Sequence, residues 1–93
     1  MASCSLTPDG LESQLARWRR LGQSAVAVQR EPGRVAVSFG PGLDRRLLDE
    51  TLAVERECCP FFSFEVGERR LGISVAEPGD EPALDALAYA LCG

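Results

Sequence analysis

What most constrains this chain is a hydrophobic period that switches from helical to strand spacing in a fixed order, and does so twice. Leu11, Leu15, Trp18 and Leu21 fall at offsets of 0, 4, 7 and 10 residues, which is one face of a helix and is expected to be core. Thr7 precedes as a cap residue, Pro8 occupies the first helical position, Asp9 lies near the positive helix end, and Gly22 suits the stop. The spacing predicts a helix over about 8–21. Two β-rich runs follow, Ala25 to Arg30 and Arg34 to Phe39, separated by Glu31-Pro32-Gly33. Val26 and Val28, then Val35, Val37 and Phe39, alternate with smaller or polar neighbours, which predicts a hairpin.

After Gly40-Pro41-Gly42 the helical spacing returns. Leu47, Thr51, Val54 and Cys58, flanked by Leu48 and Leu52, mark the apolar side of a helix ending near Cys58, so Cys58 is expected to point toward the core. Pro60 ends that helix and pushes Cys59 into the turn, which gives the two thiols different exposure. Phe62, Phe64 and Val66, then Leu71, Ile73 and Val75, alternate on either side of Gly67-Glu68-Arg69-Arg70 and predict a second hairpin. Asp80 as a cap, Pro82 in the first turn, and Leu84, Leu87 and Leu91 on one face announce a third helix ending at Cys92-Gly93.

The expected order is therefore α-β-β-α-β-β-α, an α+β, two-layer fold with a four-stranded, mostly antiparallel sheet and helices against one face. A chain of 93 residues, 45% apolar, is read as one domain, 1–93. Within it a helix plus hairpin recurs, over about 7–40 and 43–76, before a carboxyl-terminal helix at 81–92. An unpaired edge strand in so small a sheet makes a homodimer a natural expectation.

Four cysteines, no histidine and a single methionine narrow the chemistry. Without histidine the usual general base near neutral pH is missing, and with it Ser-His-Asp and Cys-His mechanisms. A Cys2His2 zinc site is excluded, and the spacing of the cysteines (54 residues from Cys4 to Cys58, 1 to Cys59, 33 to Cys92) lacks the paired knuckles of structural zinc modules. A net charge of −4 argues against a nucleic-acid surface, and the cluster Arg17, Arg19 and Arg20 is read as a solvated helix face. All ten basic residues are arginine, which is taken as compositional bias.

No run approaches the roughly 18 consecutive apolar residues a membrane span needs. Met1-Ala2-Ser3-Cys4-Ser5-Leu6 lacks the basic region and hydrophobic core of a secretion signal, so the expected location is the cytoplasm. There, cysteines serve more often as thiols, metal ligands or redox groups than as structural disulfides.

The vicinal pair in Glu55-Arg56-Glu57-Cys58-Cys59-Pro60-Phe61-Phe62 is the candidate site, with Cys4 as third member. Thiolates prefer Hg(II), Cu(I), Zn(II) and As(III), and two or three converging sulfurs satisfy the linear, trigonal or pyramidal geometries of those ions. If the amino-terminal segment folds over the end of the second helix, Cys4, Cys58 and Cys59 converge into a three-sulfur site; a two-sulfur site from Cys4 and one member of the pair is the other arrangement. The negative end of a helix dipole, with Glu55 and Glu57, does nothing to favour a thiolate before metal binds, but suits a cation. Glu57 is a candidate oxygen ligand or proton shuttle, weighed against simple solvation. Plain packing is the competing account of Cys58 above all, since cysteine outside disulfides is among the most buried residue types. Cys92 reads as incidental, and Trp18 with Phe61, Phe62 and Phe64 as core or pocket lining.

Ala2-Ser3-Cys4-Ser5-Leu6-Thr7, Ala16-Arg17-Trp18 and Glu55-Arg56-Glu57-Cys58-Cys59-Pro60-Phe61-Phe62-Ser63-Phe64 resemble a family of small actinobacterial proteins over nearly the whole chain. Relatives look like companions of MerR-type, metal-responsive regulators or segments fused to them, so the resemblance implies heavy-metal handling and a MerR-type partner. A thinner similarity links Cys4-Ser5-Leu6-Thr7 and the cysteine pair to organomercurial lyase, where Cys4 and Cys58 or Cys59 would align with the mercury-binding thiols. Thr7 stands where that enzyme has an aspartate that looks like the proton donor, and Asp9 lies two residues on, a departure that leaves mercury binding and puts carbon–mercury cleavage in doubt.

Three function classes follow. The favoured one is a thiol-based binding protein for a soft metal ion, mercury, copper(I), zinc or arsenite, linked to metal resistance or sensing, with no direct nucleic-acid or membrane role. The second is an organometal-cleaving or thiol redox enzyme using Cys4 with Cys58 or Cys59, although redox pairs typically sit at a helix amino end. The third is an interaction or small-molecule domain whose cysteines only pack.

Overall fold

The computed structural model describes residues 8–92. It has the expected order of elements: α1 (Pro8–Gly22), β1 (Ala25–Glu31), β2 (Arg34–Phe39), α2 (Arg45–Cys58), β3 (Phe62–Val66), β4 (Arg70–Val75) and α3 (Glu81–Cys92). Thr7 and Cys4 lie outside the described residues.

The alternating runs make two hairpins that join through their second strands, giving the sheet order β1-β2-β4-β3 with every pair antiparallel. Gly33 turns the first hairpin at φ 71°, in the left-handed region where glycine carries no steric penalty. At the centre Val35 faces Ile73 and Val37 faces Leu71. These four, with Phe39, are buried, while the alternate positions Ala36, Ser38, Gly72 and Ser74 are small. The period of two thus sorts the sheet into a core face and an outer face.

Helix α3 packs on β1, β2 and β4, α2 on β3, and α1 on α2 and α3. Trp18, Leu21, Leu48, Leu52, Leu84, Leu87 and Leu91 close the core from the helical side. At the α1–α3 crossing, a Cβ on Gly22 would come 2.3 Å from the Leu91 carbonyl oxygen, so only glycine permits the approach. Three polar ties fix the ends. Asp44 Oδ1 accepts from the Leu47 N–H at 3.1 Å and caps α2. Arg45 donates to the carbonyls of Gly67 and Glu68 at 2.9 and 2.8 Å, holding the start of α2 to the second hairpin. Glu81 accepts from the Gly33 N–H at 2.6 Å and pairs with Arg30 at 3.3 Å, joining the first hairpin to α3.

The structure departs from the sequence expectation in three places within these elements. A bulge between Ala25 and Ala27 breaks the alternation of β1, and Val26 is left 72% exposed on the edge strand while Val28 is half-buried. Asp80 belongs to a short 3-10 turn, Pro78–Asp80, that leads into α3. Leu11, expected in the core, is 46% exposed, because it walls a surface cavity instead of packing solidly. No helix among the described residues is long and apolar enough to cross a membrane.

Candidate thiol site

Cys58 is the last residue of α2 and Cys59 its carboxyl-terminal cap, with φ −132° and ψ 71° and its N–H donating to the Glu55 carbonyl at 2.7 Å. These angles lie outside the α region, which a following proline disfavours. Cys59 then anchors the next turn, its carbonyl accepting from the Phe62 N–H at 3.2 Å.

The two thiols do differ in exposure, but in the opposite sense to the expectation. Cys59 is buried at 6%, whereas Cys58 is half-buried. The buried stripe of α2 runs Leu47, Leu48, Thr51, Leu52 and Glu55. Cys59, four residues beyond Glu55, continues that stripe, and Cys58 falls beside it.

Glu55 and Cys59 both line a cavity of about 160 Å³ between α1, the turn into β3, and α3. Leu11 and Leu15 of α1, Phe61 and Phe62 of the turn, and Leu87 of α3 supply apolar walls. The phenylalanines stack among themselves, Phe61 and Phe62 with centroids 4.5 Å apart and Phe62 and Phe64 at 5.9 Å. Arg56 lies 5.6 Å above the Phe64 ring.

A buried polar network forms the floor. Glu55 Oε1 accepts from Trp18 Nε1 at 2.9 Å and from Gln14 Nε2 at 3.2 Å. Gln14 Nε2 also donates to the Thr51 carbonyl at 2.9 Å, and Gln14 Oε1 accepts from Arg17 at 2.9 Å. Thr51 returns its own hydroxyl to the Leu47 carbonyl. Among the described residues no buried side-chain nitrogen or oxygen lacks a hydrogen-bond partner. The network ties α1 to α2 through directed bonds, while the rest of the core packs apolar groups.

In the sequence Glu55 counts only as added negative charge at a helix end, and Gln14 carries no motif. Both occupy core-spaced positions, Gln14 between Leu11 and Trp18 and Glu55 four residues after Thr51. A polar residue inside an apolar stripe is the signal that marks them. Glu57, the carboxylate expected as ligand or shuttle, is exposed. Arg19 and Arg20 are exposed as expected of a solvated face, but Arg17 is half-buried because it bonds Gln14.

Of the predicted sulfur ligands, Cys58 and Cys59 stand together at the end of α2, and Cys4 lies outside the described residues. Among the described residues no three cysteine, aspartate or glutamate side chains form a group able to hold a metal ion. Cys92, at the far end of α3, is exposed and borders a different surface hollow with Arg19 and Gln23. No protein-family model, no curated protein and no solved structure matches this chain.

Proposed function

We propose that the protein binds a soft metal ion through Cys59, Cys58 and Cys4, as a thiol-based component of metal resistance or sensing. The observation that carries this reading is the burial of Cys59 against a cavity that also holds a carboxylate, with a second thiol adjacent. A thiolate in such surroundings is a strong ligand for Hg(II), Cu(I), Zn(II) or As(III), and the metal itself drives the thiol to deprotonate. Cys4, four residues before Pro8, enters this reading from the sequence, and Leu11 of the helix that follows lines the cavity. Placement at a helix carboxyl end supports cation binding over thiol redox catalysis, since that end carries partial negative charge. In this reading the protein works in the cytoplasm beside a MerR-type regulator, as the resemblance of its Cys4 and Cys58-Cys59-Pro60-Phe61-Phe62 segments implies.

The test is a titration of reduced, oxygen-free protein with Hg(II), As(III), Zn(II) and Cu(I), following thiol-to-metal charge-transfer absorption and bound metal. Saturation at about one ion per chain or per dimer is expected, with Cys59→Ser and Cys4→Ser each weakening binding by about tenfold or more. Affinity unchanged in a Cys4→Ser, Cys58→Ser, Cys59→Ser triple variant would sink the proposal and turn attention to the cysteines as packing.

A further inference from the structure

The helices lie on the side of the sheet that carries Val35, Val37, Leu71 and Ile73, and none of the described elements covers the other side. There the registers align Gln29, Ala36, Gly72 and Glu65 in one row across the four strands. Arg34 stands two residues from that row on β2, and Arg70 two residues from it in the opposite direction on β4. These six residues line an open trough of about 570 Å³. Gly72 sits in the middle of a central strand, where glycine weakens pairing and marks a close approach. A Cβ there would meet Arg34 Nη2 at 2.9 Å, so Arg34 lies across the floor of the trough. The edges of the sheet are poorer templates for a second chain, because a bulge between Ala25 and Ala27 distorts β1 and β3 is only five residues long.

The chain has a net charge of −4, so two copies repel overall. The outer face is balanced instead, with Arg34 and Arg70 on the inner strands and Glu31 and Glu65 on the edge strands. Arg34 reaches Glu31 only at 3.7 Å, with both side chains well exposed. Among the described residues neither Glu65 nor Arg70 makes a side-chain ion pair. Glu65, on the row between the two arginines, disfavours a small anion in the trough. We propose that a second copy of this chain docks on this face about a two-fold axis, with its strands crossing near a right angle, one of the two ways sheets pack face to face. From the centre of the row, each arginine lies about 7 Å along the strands and Glu65 about 7 Å across them. A quarter turn in one sense therefore sets Arg34 over the partner's Glu65 and Arg70 over the partner's Gln29, and a turn in the other sense exchanges the arginines. Strands running side by side would instead set Arg34 over the partner's Ser38 or the partner's Ser74. Ala36 and Gly72 keep the centre low, so the two floors can approach. A face about 20 Å on a side is small for an interface, and the dimer is expected to dissociate at about 10–100 µM.

Sedimentation of the whole reduced chain over about 1 µM to 1 mM tests this, with a chelator present so that neither a metal nor a disulfide joins the copies. The mean mass is expected to rise from 10.0 kDa toward twice that value. Glu65→Arg is expected to weaken the dimer about tenfold or more, since it sets arginine against arginine. Glu50→Arg, the same charge change at an exposed position of α2, should leave the dimer no weaker. An equimolar mixture of Glu65→Arg with Arg34→Glu, or with Arg70→Glu for the other sense of crossing, is expected to recover the wild-type strength, because both crossed contacts then join an arginine to a glutamate. A wild type that stays monomeric throughout overturns the proposal, as does a dimer that Glu65→Arg leaves intact or that neither mixture restores. If Glu65→Arg fails to fold, Ala36→Arg decides the matter, because it fills the floor where the copies meet. A monomer in folded Ala36→Arg supports the proposal, and an intact dimer overturns it.

Discussion

The centre of the sheet and the seam between α1 and α2 solve the same problem, burial, by different means. Val35, Val37, Leu71 and Ile73 face one another across β2 and β4 with no polar side chain among them. Across the seam, Gln14, Thr51 and Glu55 are as deeply buried, and each makes a directed bond. Apolar contacts are tolerant of exchange between residues of similar volume. A hydrogen-bonded seam accepts few substitutions, because any unmatched donor or acceptor is penalised. A protein that needed only to be stable could have used the first solution throughout. The second sits where the thiol pair and the cavity are, which ties the unusual chemistry of the core to the candidate site.

The sharpest way to break this comparison is to damage the apolar region and ask whether the site notices. Ile73→Ala should cost about 3 kcal/mol in urea unfolding, within the range for removing a large aliphatic side chain from a tight core. Metal affinity of the fraction still folded should stay at the wild-type value, since Ile73 is not among the residues around the thiol cavity. A matching loss of metal affinity would show that the sheet and the seam are one energetic unit.

Glu55→Ala is the converse experiment, with a smaller effect on stability. It leaves Trp18 Nε1 without its acceptor and deprives Gln14 of one of its two, a loss of about 2 kcal/mol by the cost of unsatisfied buried donors. Glu55→Gln should cost less, because an amide oxygen can still accept from Trp18. Pairing Glu55→Gln with Trp18→Phe in a double-mutant cycle should return a coupling of about 1 kcal/mol. Strict additivity of the two changes would remove the seam as a cooperative network and leave Glu55 as an isolated buried acid.

The same contrast explains what could be read from the sequence. Both hairpins and the three helices were legible, because alternation at Val35, Val37 and Phe39 and three- or four-residue spacing at Leu84, Leu87 and Leu91 translate directly into faces. Periodicity is blind to a bulge, so the exposure of Val26 was not legible. It also treats Gln14 and Glu55 as gaps in an apolar stripe, when in three dimensions they fill each other's gap across two helices 41 residues apart in sequence. The place of the cysteine pair at the end of α2 was legible, but its order of burial was not. Taking Leu47, Thr51, Val54 and Cys58, flanked by Leu48 and Leu52, as the stripe holds as far as Leu52 and then drifts by one residue, because Glu55 and Cys59 are buried where Val54 and Cys58 are only half-buried.

The smallest effect should come from the cysteine that belongs to neither region. Cys92 is exposed at the end of α3, and its side of the molecule borders Arg19 and Gln23, with no carboxylate and no second thiol among the described residues that line that hollow. Cys92→Ser is therefore expected to change stability by no more than about 0.5 kcal/mol, the usual range for an exposed position. Ion stoichiometry should be unchanged, with at most a slight fall in affinity, whereas Cys59→Ser should lose the ion. The pair of variants separates a thiol count from a thiol place: equal losses would mean that any sulfur on the chain captures the ion, and the buried seam would have no part in choosing it.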